Sequence, residues 1–287
     1  MGRTAYVNGR YLPHGEAGVH IEDRALQFAD GIYEVVGVFG GRIYDETEHL
    51  DRLERSVGEI GMAMPMDRAA LRLVIREVAR RNRVRDGLVY MQVTRGAYRR
   101  DHPIPDKASR PSLIVTAKNL DAAAMARRQR EGVTVVTRPD ERWARCDIKS
   151  TALLPNILAK SAARAAGAYE AWLVDRDGYV TEGSSTSAWI VDKQGRIVTR
   201  DLSRAILPGV TRKVILEAAR EAQLTVVERK FRPDEALDAS EAFLTAASAG
   251  AMPITAIDGK PIGSGKPGPV TQRIQELYTR LAASRAG

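Results

Sequence analysis

The chain has 287 residues, of which 44% are hydrophobic and 28% charged, with one cysteine and a net charge of +8. Such a composition belongs to a globular protein with a substantial core, long enough for one large domain or two packed ones. Cys146 alone excludes an internal disulfide, and one cysteine with four histidines is too few soft ligands for a structural zinc cluster. Hydrophobic periodicity then predicts strands over 33–39, 88–94 and 112–116 and helices over 48–60 and 68–81. In the second of these helices Arg72, Arg76, Arg80 and Arg81 alternate with Leu71, Leu73, Val74, Ile75 and Val78, and Arg83 and Arg85 follow. That spacing is the solvated face of an amphipathic helix. Around 120–131 the composition shifts to alanine, arginine and glutamine, which marks a boundary between two domains.

The second half predicts a strand over 133–137, a helix over 153–166, and strands over 171–174, 186–191 and 196–199. A helix over 211–221, strands over 225–228 and 242–244, and a helix over 270–282 complete the chain. Strands and helices do not alternate regularly, so two α+β domains are expected rather than a doubly wound sheet. No stretch approaches the roughly 18–20 apolar residues of a membrane span. The opening Met1-Gly2-Arg3-Thr4 carries no apolar run like that of a signal sequence. A cytoplasmic location without membrane contact is expected. The positive charge alone permits a nucleic-acid-binding protein, but no aromatic platform or base-reading motif accompanies it, and no nucleic acid partner is expected.

Several familiar sites are absent. No Gly-x-Gly-x-x-Gly opens a helix after a strand, His-Glu-x-x-His does not occur, and Gly183-Ser184-Ser185-Thr186-Ser187 lacks the last glycine of a nucleophile elbow. The glycine-rich stretch 259–266 is one residue too long for a phosphate loop and has Pro267 where a hydroxyl belongs; Asp258-Gly259 reads as a hairpin turn. Three segments carry more promising chemistry. Lys149, in Arg145-Cys146-Asp147-Ile148-Lys149-Ser150, follows an apolar residue and precedes a helix, and an amine held out of water can attack a carbonyl. In Leu207-Pro208-Gly209-Val210-Thr211-Arg212 a glycine allows close approach, Thr211 is placed to cap the following helix, and Val214 at the third helical position completes no capping box. Its free N–H groups suit a phosphate. Glu182, between a strand and small hydroxyl residues, is placed to pair with a protonated ring nitrogen.

With Lys149, Glu182 and Gly209-Val210-Thr211 in this order and spacing, the chain resembles the pyridoxal-phosphate-dependent transaminases of fold type IV. The resemblance runs from Asn8-Gly9 to Asp258-Gly259-Lys260. It implies a smaller N-terminal α/β domain over 1–120, a linker over 121–132, and a larger C-terminal domain over 133–287 carrying the lysine and most cofactor contacts. It also implies a homodimer with active sites near the interface, and pyridoxal 5'-phosphate as cofactor. By matching positions, Lys149 is the Schiff-base lysine, Glu182 pairs with the pyridine nitrogen and Leu207 packs on the ring. Arg52, Val210 and Thr211 match the phosphate contacts. The family has a threonine touching the phosphate late in the chain; Ala247 stands there, which leaves Ser248 or a backbone amide to replace it.

Within the family, Asp30-Gly31-Ile32-Tyr33-Glu34-Val35-Val36, Gln92-Val93-Thr94-Arg95-Gly96 and Arg142-Trp143-x-Arg145-Cys146-Asp147-Ile148-Lys149-Ser150 are most similar to the D-amino acid aminotransferase branch. Tyr33, Arg100 and His102 stand where that branch traps the substrate carboxylate. Arg100 and His102, two apart and followed by Pro103, are expected on one side of an extended segment. The resemblance implies ping-pong transfer of the amino group of D-amino acids such as D-alanine to a 2-oxo acid. The alanine-rich run Ser248-Ala249-Gly250-Ala251-Met252-Pro253 is similar to that of (R)-selective amine transaminases. That activity, a branched-chain L-amino acid aminotransferase and an aminodeoxychorismate lyase are the alternatives of the same fold.

Overall fold

In the computed structural model, which describes residues 2–105 and 110–285, the chain forms two units. One comprises the described residues up to Asp121 together with Ile148–Ala152; the other comprises Ala122–Asp147 and Leu153–Arg285.

The first unit contains β1 (Thr4–Val7), β2 (Arg10–Pro13), α1 (Arg24–Phe28), β3 (Gly31–Phe39), β4 (Arg42–Ile43), α2 (Glu46–Glu59), α3 (Arg68–Arg81), β5 (Gly87–Thr94) and β6 (Ser112–Asn119). Its strands make one antiparallel sheet in the order β2-β1-β6-β5-β3-β4. Period-two alternation buries Ile32, Val36 and Val38 of β3, and helical spacing buries Leu50, Leu53 and Val57 of α2 and Leu71, Ile75 and Val78 of α3 in the same core. Each such burial contributes about 1.5–3 kcal/mol. Helix α3 begins where the Asp67 side chain accepts from the Ala70 N–H at 2.8 Å, a cap contributing about 1 kcal/mol. Its outward arginines are paired: Arg72 and Arg76 with Glu46, Arg80 and Arg81 with Glu77. The densest basic cluster is thus a solvated helix face, as its spacing predicts.

Residues 148–152 join this unit through backbone bonds to the start of β3. The Tyr33 N–H donates to the Lys149 carbonyl at 3.0 Å, the Thr151 N–H donates to the Gly31 carbonyl at 2.9 Å, and Ile32 bridges Ser150. Gly31 permits this approach, since a Cβ there would lie 3.3 Å from Thr151 Oγ1 as well as 3.1 Å from Ala25 Cβ. Lys149, expected within a domain over 133–287, therefore clusters with the first unit. The expected linker over 121–132 is also different: Ala122–Glu131 is a helix, because an alanine- and arginine-rich stretch has high helix propensity.

The second unit contains α4 (Ala122–Glu131), β7 (Val133–Pro139), α5 (Leu154–Ala165), β8 (Glu170–Val174), β9 (Val180–Gly183), β10 (Ser187–Val191), β11 (Ile197–Thr199), α6 (Val210–Glu221), β12 (Val226–Glu228), α7 (Pro233–Asp238), β13 (Glu241–Ala246), β14 (Gly250–Ile257), β15 (Lys260–Pro261) and α8 (Pro269–Arg285). The strand order is β12-β11-β10-β13-β14-β7-β8-β9, with β15 beside β14. Parallel pairs β11–β12, β14–β7 and β7–β8 are mixed with antiparallel ones, which fits the expected α+β class. Trp172 packs edge-on against Phe231 at 5.8 Å, and Trp189 stacks on Phe243 at 5.3 Å. The hairpin expected at Asp258-Gly259 joins β14 to β15, with both residues at positive φ. Among the described residues no helix is long and apolar enough to cross a membrane.

Candidate active site

In the first unit, Lys149 and Tyr33 come together. The Lys149 ammonium Nζ lies 4.2 Å from the centroid of the Tyr33 ring, a cation–π contact that fixes the amine over an aromatic face. Tyr33 in turn stacks on Tyr90 at 5.7 Å, and the Tyr90 hydroxyl donates to Gln92 Oε1 at 2.7 Å. Burial, with Tyr33 beside it, pushes the Tyr90 phenol up to about 12, so it stays neutral and a donor. Arg52, expected at the phosphate, is held from behind. Its Nε and NH2 donate to Glu34 Oε2 and Oε1 at 2.8 and 2.7 Å, and His49 Nδ1 lies 3.0 Å from Oε1. Glu34 has no exposed side-chain surface. Burial alone would raise its carboxyl, but Arg52 and His49 hold it well below the ordinary carboxylate value.

Arg100 and His102 form a second group in this unit. The Arg100 guanidinium lies 5.2 Å from the Phe28 ring centroid and the His102 ring 5.4 Å from it. Both side chains meet one ring, although the segment is made of bends and not the extended strand that the spacing predicts, and both are exposed.

The second unit places Glu182 on β9, buried. Arg142 makes a short ion pair with it, and the Leu207 N–H donates to its Oε1 and Oε2 at 3.2 and 3.3 Å. Arg142 is itself fixed by Asp140 at 2.8 Å and by the Ala205 carbonyl at 3.1 Å. Burial opposes the Arg142 charge, yet Asp140 and Glu182 raise its affinity for the proton. Leu207 is thus tied to Glu182 by its backbone, and Gly209 opens α6 two residues later. A Cβ on Gly209 would stand 2.9 Å from Ser187 Oγ and 3.2 Å from Arg212 Cβ. Thr211 differs from its expected capping role, because the helix starts one residue earlier than its spacing predicts: Gly209 is the N-cap, Val210 and Thr211 are the first two helical residues, and no side chain caps them. The Thr211 hydroxyl is buried and has no hydrogen-bond partner. Ser248 is half-buried in the turn between β13 and β14, where the Ala249 N–H donates to the Ala246 carbonyl.

Glu34, His49, Arg142 and Asp140 are not singled out by sequence reasoning, although Glu34 and Arg142 lie in motifs that it quotes. The hydroxyls of Ser184 and Ser185 both bond Glu170, so these two are committed to structure. Burial pushes the Cys146 thiol up to about 11, which disfavours the thiolate form a nucleophile needs. Among the described residues no three His, Cys, Asp or Glu side chains are grouped to hold a metal. A phosphate-bearing ring cofactor does fit the donor set of the second unit. An uncapped helix start with a buried, unpartnered hydroxyl supplies donors suited to a phosphate.

The family model for amino-transferase class IV matches residues 31–257. A D-alanine aminotransferase of Bacillus licheniformis is 41% identical over 93% of each chain. One of Listeria monocytogenes is 37% identical over 98% of this chain and 96% of its own. Among solved structures, a T.th. branched-chain amino acid aminotransferase with pyridoxamine 5'-phosphate superposes with a TM-score of 0.89 at 28% identity, covering 99% of this chain and 96% of that one. With its model matched over most of the length and relatives above a third identical along nearly all of it, the chain belongs to the class IV aminotransferase family.

Proposed function

We propose that the chain is a pyridoxal-phosphate-dependent transaminase that moves the amino group of D-amino acids such as D-alanine to a 2-oxo acid, 2-oxoglutarate or pyruvate, in two alternating half-reactions. The observation that carries the reading is the start of α6, where a buried hydroxyl and uncapped backbone donors suit a phosphate, in a chain whose curated relatives are D-alanine aminotransferases.

In this reading Lys149 binds the cofactor covalently, and Arg52, Val210, Thr211 and Ser248 hold its phosphate. Leu207 packs on its ring, and Glu182 faces the ring nitrogen. When bound, the cofactor supplies a carbonyl that captures the amino group and a ring that takes up the electrons released at Cα. The residues do the rest. Lys149, freed as an amine, takes the Cα proton of the amino acid, the general-base role of a positioned lysine. Glu182 keeps a proton on the ring nitrogen, and its ion pair with Arg142 holds the carboxylate in place. Glu34 fixes the Arg52 fork so that its charge is preset rather than reorganised on binding. Tyr33, Arg100 and His102 receive the substrate carboxylate, for which a guanidinium, a phenol and an imidazole are suited donors.

Exposed Leu154, Ile157 and Leu158 on α5, each more than half accessible, favour burial against a second copy in a homodimer; sedimentation of the purified protein tests this. The branched-chain neighbours share the fold at lower identity than the D-alanine relatives and leave the D-amino acid reading ahead. Incubation with D-alanine and 2-oxoglutarate should give pyruvate at a rate far above that with L-alanine. Equal rates, or turnover of L-leucine alone, would overturn the proposed substrate.

A further inference from the structure

The segment that carries Arg100 and His102 is gripped from three directions by α1 and its flanks. Its start is stitched by backbone: the Arg24 N–H donates to the Gly96 carbonyl at 3.0 Å, the Tyr98 N–H donates to the Glu22 carbonyl at 3.2 Å, and Asp23 bridges Ala97. Its far end is gripped by one side chain. Arg24 NH1 donates to the Asp101 carbonyl at 2.7 Å and NH2 to the His102 carbonyl at 3.2 Å, while Nε donates to Asp30 Oδ2 at 2.7 Å. The third grip is the Phe28 ring, which meets Arg24 at 4.9 Å, Arg100 at 5.2 Å and His102 at 5.4 Å.

The position of this arginine is over-determined. Its side chain is only 5% exposed although the segment it holds is open to solvent. Asp30 also accepts from Arg95 Nε at 2.7 Å, and Arg95 is anchored on the Ile60 carbonyl at 2.7 Å. Asp30 therefore stays paired without Arg24, and the Arg24 fork is not needed to neutralise it. Two of its three arms are spent on the carbonyls of Asp101 and His102. A planar fork suits that task, since its donors diverge at fixed angles, whereas an ammonium is a point charge.

We propose that Arg24 and Phe28 are positioning residues for recognition of the substrate carboxylate: they fix residues 100–102 so that the Arg100 and His102 side chains are preset against one ring. This rests on the reading of Arg100 and His102 as carboxylate donors. Presetting removes an ordering cost from each binding event, so its loss weakens substrate binding more than it slows the reaction once substrate is bound.

The test compares Arg24→Met, Arg24→Lys and Arg100→Ala in the cofactor-loaded enzyme, measuring KM and kcat for D-alanine with the visible spectrum and thermal midpoint as controls. Arg24→Met should raise KM by about tenfold or more with kcat within about twofold of the parent and an unchanged spectrum. Arg24→Lys should fall between the two. Should Arg24→Met not fold, Phe28→Leu keeps the apolar bulk, removes the flat face and should raise KM in the same way. A fall in kcat with KM unchanged would show a merely structural role and overturn the proposal. A raised KM in Arg100→Ala with none in the Arg24 and Phe28 variants would overturn the positioning role alone. No effect on KM in any variant would overturn the carboxylate reading and the proposal with it.

Discussion

The two elements expected at the phosphate, one in each unit, are prepared in opposite ways. In the first, the cation expected at the phosphate is already partnered: Arg52 is buried, with two donors committed to Glu34. In the second, α6 opens with no cap and a buried hydroxyl without a partner. A pre-paired cation holds its geometry without ligand, because a buried carboxylate repays the desolvation of both. An open helix start keeps backbone donors available to an anion. Rigidity is thus built into the Arg52 pair and affinity into the start of α6.

The largest expected effect bears on the chemistry that both serve. Lys149→Ala should lower turnover of D-alanine by roughly ten-thousand-fold or more, as removal of an essential nucleophile does elsewhere; near-normal steady-state rates would end the account of Lys149. Next comes the pre-paired unit. Glu34→Ala leaves Arg52 and His49 buried without their carboxylate and should cost about 3–5 kcal/mol of stability, read as a lowered thermal midpoint of the cofactor-free protein. The sign with pH follows from the depressed Glu34 proton affinity. Its contribution is complete above the ordinary carboxylate value near 4.5 and is lost as pH falls below it. Urea midpoints from neutral to acidic pH should show that loss in the parent and a smaller one in Glu34→Ala.

Thr211→Val sharpens the comparison by reversing the pattern. It removes a hydroxyl that bonds nothing in the protein, so the cofactor-free midpoint should hold or rise slightly. Cofactor affinity should weaken by the about 1.5–3 kcal/mol of a hydrogen bond to a charged group, measured by equilibrium titration. A destabilised apoprotein with unchanged cofactor affinity would contradict the asymmetry. The smallest effect belongs to Tyr90→Phe, which loses one hydrogen bond to Gln92 and should cost about 1 kcal/mol. Ultraviolet titration of the parent should show a phenol ionising near 12 that is missing from Tyr90→Phe.

Much of this is legible in the sequence where a periodic pattern meets a single core. Arg68–Arg81 and the strands around 33–39, 88–94 and 112–116 fall where periodicity puts them. Strands β1, β2 and β9, four residues each, are too short to show a period, and β14 presents itself in sequence as a small-residue run although it pairs with three strands. At the site, Lys149, Glu182 and the α6 start stand out by their neighbours. Glu34 is readable in principle: on β3 it shares the period-two face of Ile32, Val36 and Val38, and a carboxylate on a buried face requires a cation. His49 and Arg52, three apart on one buried face of α2, supply it. What no spacing reveals is the pairing of Arg142 with Glu182, 40 residues apart, because it depends on how a loop returns to β9. The joining of Lys149 to β3 likewise rests on long-range backbone bonds that leave no local trace.

The most direct test of the central reading is the visible absorbance of the purified, cofactor-loaded protein, mixed in turn with D-alanine, L-alanine and L-leucine in the absence of any acceptor. D-alanine alone should abolish the visible band of the lysine-bound cofactor, and pyruvate should restore it. Loss of the band with L-leucine but not with D-alanine, or no visible band after incubation with pyridoxal 5'-phosphate, would contradict it.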